Sequence, residues 1–138
     1  MRAIGLGSWY FLKGDYEPDA QVFEGNVLTS DPQRFQVKPS CVRDNPQLAQ
    51  GGVTIGWLVA AADSIRRLQR RAKQISARVL LIAPGEEAVV DGAASIQLLE
   101  QIRHGVVLNL PSARHEVLFE RDEIQATFWS SFETFVES

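Results

Sequence analysis

The 138-residue sequence is poor in the side chains that build most covalent and metal-bound sites, with one cysteine and two histidines. A single thiol, Cys41, cannot close an intramolecular disulfide, and His104 and His115 form no cluster at metal-ligand spacing. Neither structural zinc nor a cofactor is expected. The sequence also has no excess of positive charge, since 14 Lys and Arg against 17 Asp and Glu leave a net charge of -3. Binding a phosphate backbone needs a cationic surplus, so nucleic acid is not an expected partner. No apolar run is long enough to span a bilayer, and the N-terminal "MRAIGLGSWYFLKGD" reaches a lysine and an aspartate too soon for the apolar core of a signal peptide. A cytoplasmic location is the resulting expectation.

What is present is the balance of one ordinary globular domain, 45% hydrophobic and 22% charged. Its texture changes along the chain. Up to about Gly52 the sequence is aromatic and turn-rich, with "KGDYEPDA", "TSDPQRF", "VKPS" and "DNPQ" supplying Pro, Gly, Asn and Asp. Asp31 or Ser30 is placed to cap a short helix with Pro32 at its first position, carrying Phe35 and Val37 towards a core. "TIGWLVAAADSIRRLQRRAKQI" then predicts a helix capped by Thr54, with Trp57, Ala61, Ile65 and Leu68 on one stripe. Its far end carries Arg66, Arg67, Arg70, Arg71 and Lys73. That cluster is read either as a solvated helix end favoured by the macrodipole or as a contact for anionic lipid headgroups.

Beyond residue 76 the pattern becomes α/β. "RVLLIA" and "GVVLNL" are short continuous apolar runs of the kind found in buried parallel strands. "DGAASIQLLEQI" between them and "ERDEIQATFWSSFETFVE" after them have helical periodicity, the last with Ile124, Phe128, Phe132 and Phe135 in register. Strand, helix, strand, helix predicts a parallel crossover unit over residues 77–138, preceded by a helical region over residues 1–76. In such sheets reacting groups sit beyond the carboxyl ends of the strands. The loop "PGEEAVVDG" there offers Glu86, Glu87 and Asp91, and the loop "PSARHE" offers His115. Side by side, these loops would let a carboxylate accept from one imidazole nitrogen while the other faces a substrate, the acid and base portion of a hydrolytic triad. His104 is read as a helix C-terminal cap, and Glu116 and Glu120 as N-terminal charges of the last helix.

"RVLLIAPGEEAVVDGAAS" followed by "LNLPSARHEVLFERDEI" resembles the C-terminal part of α/β-hydrolase fold enzymes of the lysophospholipase and monoacylglycerol lipase branch. "FEGNVLTSDPQRF" and "GGVTIGWLVAAADSI" resemble the helical cap, or lid, that this branch carries over its active site, so the likeness covers nearly the whole chain. The resemblance implies an α/β fold and carboxylic ester hydrolysis, with His115 on the triad histidine. It puts Glu87 where the triad acid is usually Asp, with Asp91 four residues later as the alternative acid. Glu87 is preferred because Asp91 is also placed to cap its helix. Residues around Trp9, Tyr10, Phe11, Phe23 and Trp57 would line an acyl-accepting lid or simply pack it.

The chemistry of that family also needs a serine in G-x-S-x-G, and no such motif occurs here. Ser8 is followed by the bulky Trp9 and Tyr10, Ser112 is better placed to shape its loop, and Cys41 is read as a small buried thiol without a base. In the family the serine precedes the cap in chain order. The chain is therefore expected to act as the lid, acid and histidine portion of a hydrolase, inactive alone, on a lipid-like ester substrate. An exposed sheet edge should favour self-association or pairing with an N-terminal part. The rival expectation is a non-catalytic binding module derived from a hydrolase, and peripheral membrane contact through the arginine cluster is a further one.

Overall fold

A computed structural model describes residues 6–11 and 14–138. Met1–Gly5 and Leu12–Lys13, on which the signal-peptide reading leans, lie outside the described residues. The chain divides into two compact units that do not follow chain order: the described residues up to Gln21 with Lys38–Arg71, and Val22–Val37 with Ala72–Ser138. Residues 22–37, grouped with the lid-like region by sequence texture, thus belong to the same unit as the strands.

In the first unit the main element is helix α3, Ile55–Arg71. Thr54 caps it as the sequence predicts, its hydroxyl accepting from Trp57 N at 3.1 Å. The entry to α3 is held by an antiparallel bridge between Tyr10 and Thr54, with Ile55 N donating to the Trp9 carbonyl at 2.9 Å. A side chain at Gly56 would place its Cβ 2.7 Å from the Gly7 carbonyl oxygen, so the close approach of these two backbones depends on glycine. The predicted apolar stripe of α3 is not buried: Trp57, Ile65 and Leu68 are all exposed. Periodicity specified the helix and its face, but nothing local in a sequence specifies what covers that face. A shorter helix α2, Val37–Asp44, buries Pro39 and Val42, three residues apart. Cys41 lies off that face and is exposed, which corrects its reading as a buried thiol.

The second unit carries the parallel strands β1, Val79–Pro84, and β2, Gly105–Leu110, paired from Val79 with Gly105 to Pro84 with Leu110. Helix α4, Gly92–Leu99, joins them, and helix α5, Asp122–Glu137, follows β2. Strand alternation sends Val79, Leu81 and Val107 to one face, where they pack with Leu99, Ile102 and Ala72. Ile82, Leu108 and Leu110 point to the other face and meet Ile124 and Phe128 of α5. This is the α/β strand, helix, strand, helix arrangement expected from the sequence. The α5 stripe is buried only at its start, since Phe132 is exposed and Phe135 lies under the Arg78 guanidinium, 4.3 Å from the ring centre.

Helix α1, Pro32–Phe35, has the predicted cap, with Asp31 Oδ1 accepting from Gln33 N at 2.8 Å and Arg34 N at 3.0 Å. Phe35 packs edge-on against Phe23, whereas Val37 is exposed rather than turned to a core. His104 is not a helix cap. Helix α4 ends at Leu99, and the His104 carbonyl instead accepts from Val79 N at 3.0 Å, opening the strand pairing. Among the described residues no helix is long and apolar enough to cross a membrane.

Candidate active site

Because β1 and β2 end in register, the loops that follow Pro84 and Leu110 leave the same edge side by side. Their pairing continues past the strands: Gly85 N donates to the Leu110 carbonyl at 2.8 Å and Glu86 N to the Ala113 carbonyl at 2.9 Å. A Cβ at Gly85 would lie 2.2 Å from the Pro111 carbonyl oxygen, so only glycine lets the two loops come this close. One residue further, Glu87 meets His115, with Oε2 2.8 Å from Nδ1.

Glu87 is held from both ends. Its Oε1 accepts from Val89 N at 2.6 Å and Val90 N at 3.2 Å, and its side chain is only 8% exposed. Burial pushes this carboxyl upward, but the hydrogen bond from His115, aided by those from Val89 and Val90, leaves it below the ordinary carboxylate value. The group is therefore ionised near neutral pH and can only accept. In the neutral imidazole the His115 proton then sits on Nδ1, and Nε2 keeps its lone pair. Both residues line a cavity of about 1100 Å³ whose other walls include Ile82, Val90, Ile96, Leu118 and Phe128.

Asp91, the alternative acid, is not drawn into this pair. Its Oδ1 accepts from Ala94 N at 2.9 Å and caps α4. Glu86 points instead to Arg114, 3.3 Å from Nε. Ser112 lies exposed in the histidine loop.

The reading of Glu116 and Glu120 as first-turn charges of α5 does not hold. The acids in that turn are Asp122 and Glu123, and Glu116 and Glu120 flank a 3-10 turn, Val117–Phe119, that precedes the helix. Glu120 is fully buried and accepts from Arg114 N at 2.8 Å, from Ser30 N at 3.1 Å and from the Ser30 hydroxyl. Burial raises its carboxyl, and the hydrogen bonds from Ser30 and from the Arg114 and Arg121 backbone bring it below the ordinary value. Its partner Ser30 stands 90 positions away in the chain, so no local pattern announces this role.

The sequence matches the family described as serine aminopeptidase, S33, over residues 7–122. The chain belongs to this α/β-hydrolase family. Among curated proteins it is similar to the probable lysophospholipase L2 of Haemophilus influenzae, 31% identical over 140 residues, covering 99% of this chain and 43% of that protein. It is also similar to the lysophospholipase L2 of Escherichia coli K12, 28% identical over 131 residues, covering 90% of this chain and 36% of that protein. It thus falls in the lysophospholipase branch of the α/β hydrolases and spans less than half the length of these relatives. The family match runs through β1, β2, Glu87 and His115.

Proposed function

We propose that the protein provides the acid and the histidine of a serine carboxylic ester hydrolase acting on lysophospholipid-like or monoacylglycerol-like esters. The observation that carries this reading is the 2.8 Å contact between Glu87 and His115 in the lining of a largely apolar cavity. Glu87 fixes the tautomer and orientation of the imidazole. Nε2 then takes the proton from a serine hydroxyl as its oxygen bonds to the ester carbonyl carbon. His115 returns that proton to the alcohol oxygen as the ester C–O bond breaks, and the Glu87 carboxylate stabilises the imidazolium in between. No G-x-S-x-G occurs in the 138 residues, so in this reading the serine comes from polypeptide outside this sequence. The strand edges that β1 and β2 leave unpaired among the described residues offer a place for that polypeptide to add. The names of the lysophospholipase relatives support the choice of substrate class, and a cytoplasmic or membrane-peripheral location suits it.

Two measurements on the purified chain test the proposal. A fluorophosphonate probe should label no serine, and a labelled serine would overturn the external-nucleophile step. Addition of monomeric lysophosphatidylcholine should shift the NMR signals of His115 and of Ile82, Ile96 and Leu118. Signals that stay put would remove the substrate assignment and leave a binding module for some other partner.

A further inference from the structure

Glu120 is a fully buried acid that the proton transfer just described does not use. Its oxygens are spent on two short backbone stretches. One is Ser30, which donates through both its backbone N–H and its hydroxyl, and the other is Arg114, whose N–H donates at 2.8 Å. Arg114 is the residue before His115, and the contacts around it extend the same joint. Its guanidinium donates to the carbonyl oxygens of Asn26 and Thr29, each at 3.1 Å, and reaches Glu86, the residue before Glu87, at 3.3 Å. His115 N and Glu116 N donate to the carbonyls of Val27 and Leu28 at 3.4 and 2.8 Å. The histidine loop is thus laid along a strap, residues 26–31, and Glu120 ties the two together by accepting from both.

We propose that Glu120 is a positioning residue for the Glu87–His115 pair, holding the loop against the strap so that Nδ1 meets the Glu87 carboxylate. The inference rests on the reading of Glu87 and His115 as acid and base. An anion suits the task. Three donor hydrogens from the strap and the histidine loop, with the Arg121 N–H beside them, converge on the two carboxylate oxygens, and an ionised carboxylate has acceptor sites for all of them and no hydrogen of its own. A glutamine keeps one oxygen for the Arg114 and Ser30 N–H groups and turns its N–H2 to the Ser30 hydroxyl, which must then accept, so the charge that draws the loop to the strap is lost. Without that charge the loop is free to drift at the residue next to His115, and a displacement of about 1 Å suffices to break a 2.8 Å hydrogen bond.

The test reads the His115 Nδ1–H proton, which a hydrogen bond to a carboxylate moves far downfield and protects from exchange. The wild-type chain should show this resonance and Glu87→Gln should lose it. Glu120→Gln should also lose or broaden it, under conditions where the amide signals of β1 and β2 are unchanged. Ser30→Ala, which removes one donor and leaves the Arg114 arm intact, should keep it while lowering the melting midpoint. A Glu120→Gln chain that melts earlier but keeps the resonance would show a merely structural role and overturn this inference alone. If Glu120→Gln does not fold, Glu120→Asp retains the charge one methylene short, and an unshifted resonance there would overturn it equally. A wild-type spectrum without the resonance would overturn the Glu87–His115 reading and this inference with it.

Discussion

The histidine loop and helix α3 are held in opposite ways. Over Ala113–Glu120 the chain has little regular structure, yet its polar groups are tied by named bonds to residues 85 to 90 positions away. Over Ile55–Arg71 the backbone is regular for 17 residues, its Thr54 cap is local, and Trp57, Ile65 and Leu68 remain exposed. The loop owes its shape to distant partners, whereas the helix, beyond its entry beside Trp9 and Tyr10, rests on its own backbone bonds. A substitution in the first should propagate to chemistry, and one on the exposed face of the second should not.

The largest test of that contrast is Glu120→Ala. It strands the Arg114 and Ser30 N–H groups in a buried site, and at about 1–3 kcal/mol per unpaired group the loss should reach about 2–6 kcal/mol in urea unfolding. Gly85→Ala comes next. Its methyl would sit 2.2 Å from the Pro111 carbonyl oxygen, so the loops must part at a cost of about 1–3 kcal/mol, and the His115 Nδ1–H resonance should weaken with the melt.

Acid supplies a third test. Glu87 and Glu120 both have carboxyls lowered in the folded state, so the unfolded chain takes up protons first as pH falls. Their stabilisation is complete above the unfolded-state carboxylate value of roughly 4.3 and is lost as pH falls through the lower folded-state values. Unfolding free energy measured between pH 7 and 3 should drop, and Glu120→Gln should flatten that drop. A profile equally steep in the variant would place the acid sensitivity elsewhere. Asp91→Ala should cost about 1 kcal/mol for the lost cap of α4 and leave the His115 resonance in place. A lost resonance there would make Asp91, rather than Glu87, the acid that matters. Smallest of all, Trp57→Ser or Ile65→Ser on α3 should change stability by no more than about 0.5 kcal/mol, read by the same melts.

The two strands and the loops after them were legible because their signals are local: an apolar run of strand length, then Pro-Gly or Pro-Ser, then charged residues. The caps at Asp31, Thr54 and Asp91 were legible for the same reason, since each lies within three residues of the N–H groups it satisfies. From the residues alone, an acid of the first loop meets His115 only if the strands are adjacent and parallel, which the β1–β2 register supplies, and the choice of Glu87 among those acids comes from the family resemblance. Glu120 carries no such local signal. Standing two residues before α5, it had the look of a dipole charge, and its burial depends on Ser30 and on a fold of the chain that no window around it contains. Cys41 and the α3 stripe failed for a related reason, because burial is decided by what arrives from elsewhere.

The continued pairing of the two loops beyond the strands has a bearing on how this region tolerates insertions and deletions. Glu87 stands three positions past Pro84 and His115 five past Leu110, and the bonds from Gly85 and Glu86 fix both counts to one backbone scale. Adding or removing a single residue in either loop would slide one member of the pair past the other by about 3 Å, more than the length of the bond that joins them. The two loop lengths therefore form one coupled quantity, and a change in one is compatible with the pair only alongside a matching change in the other.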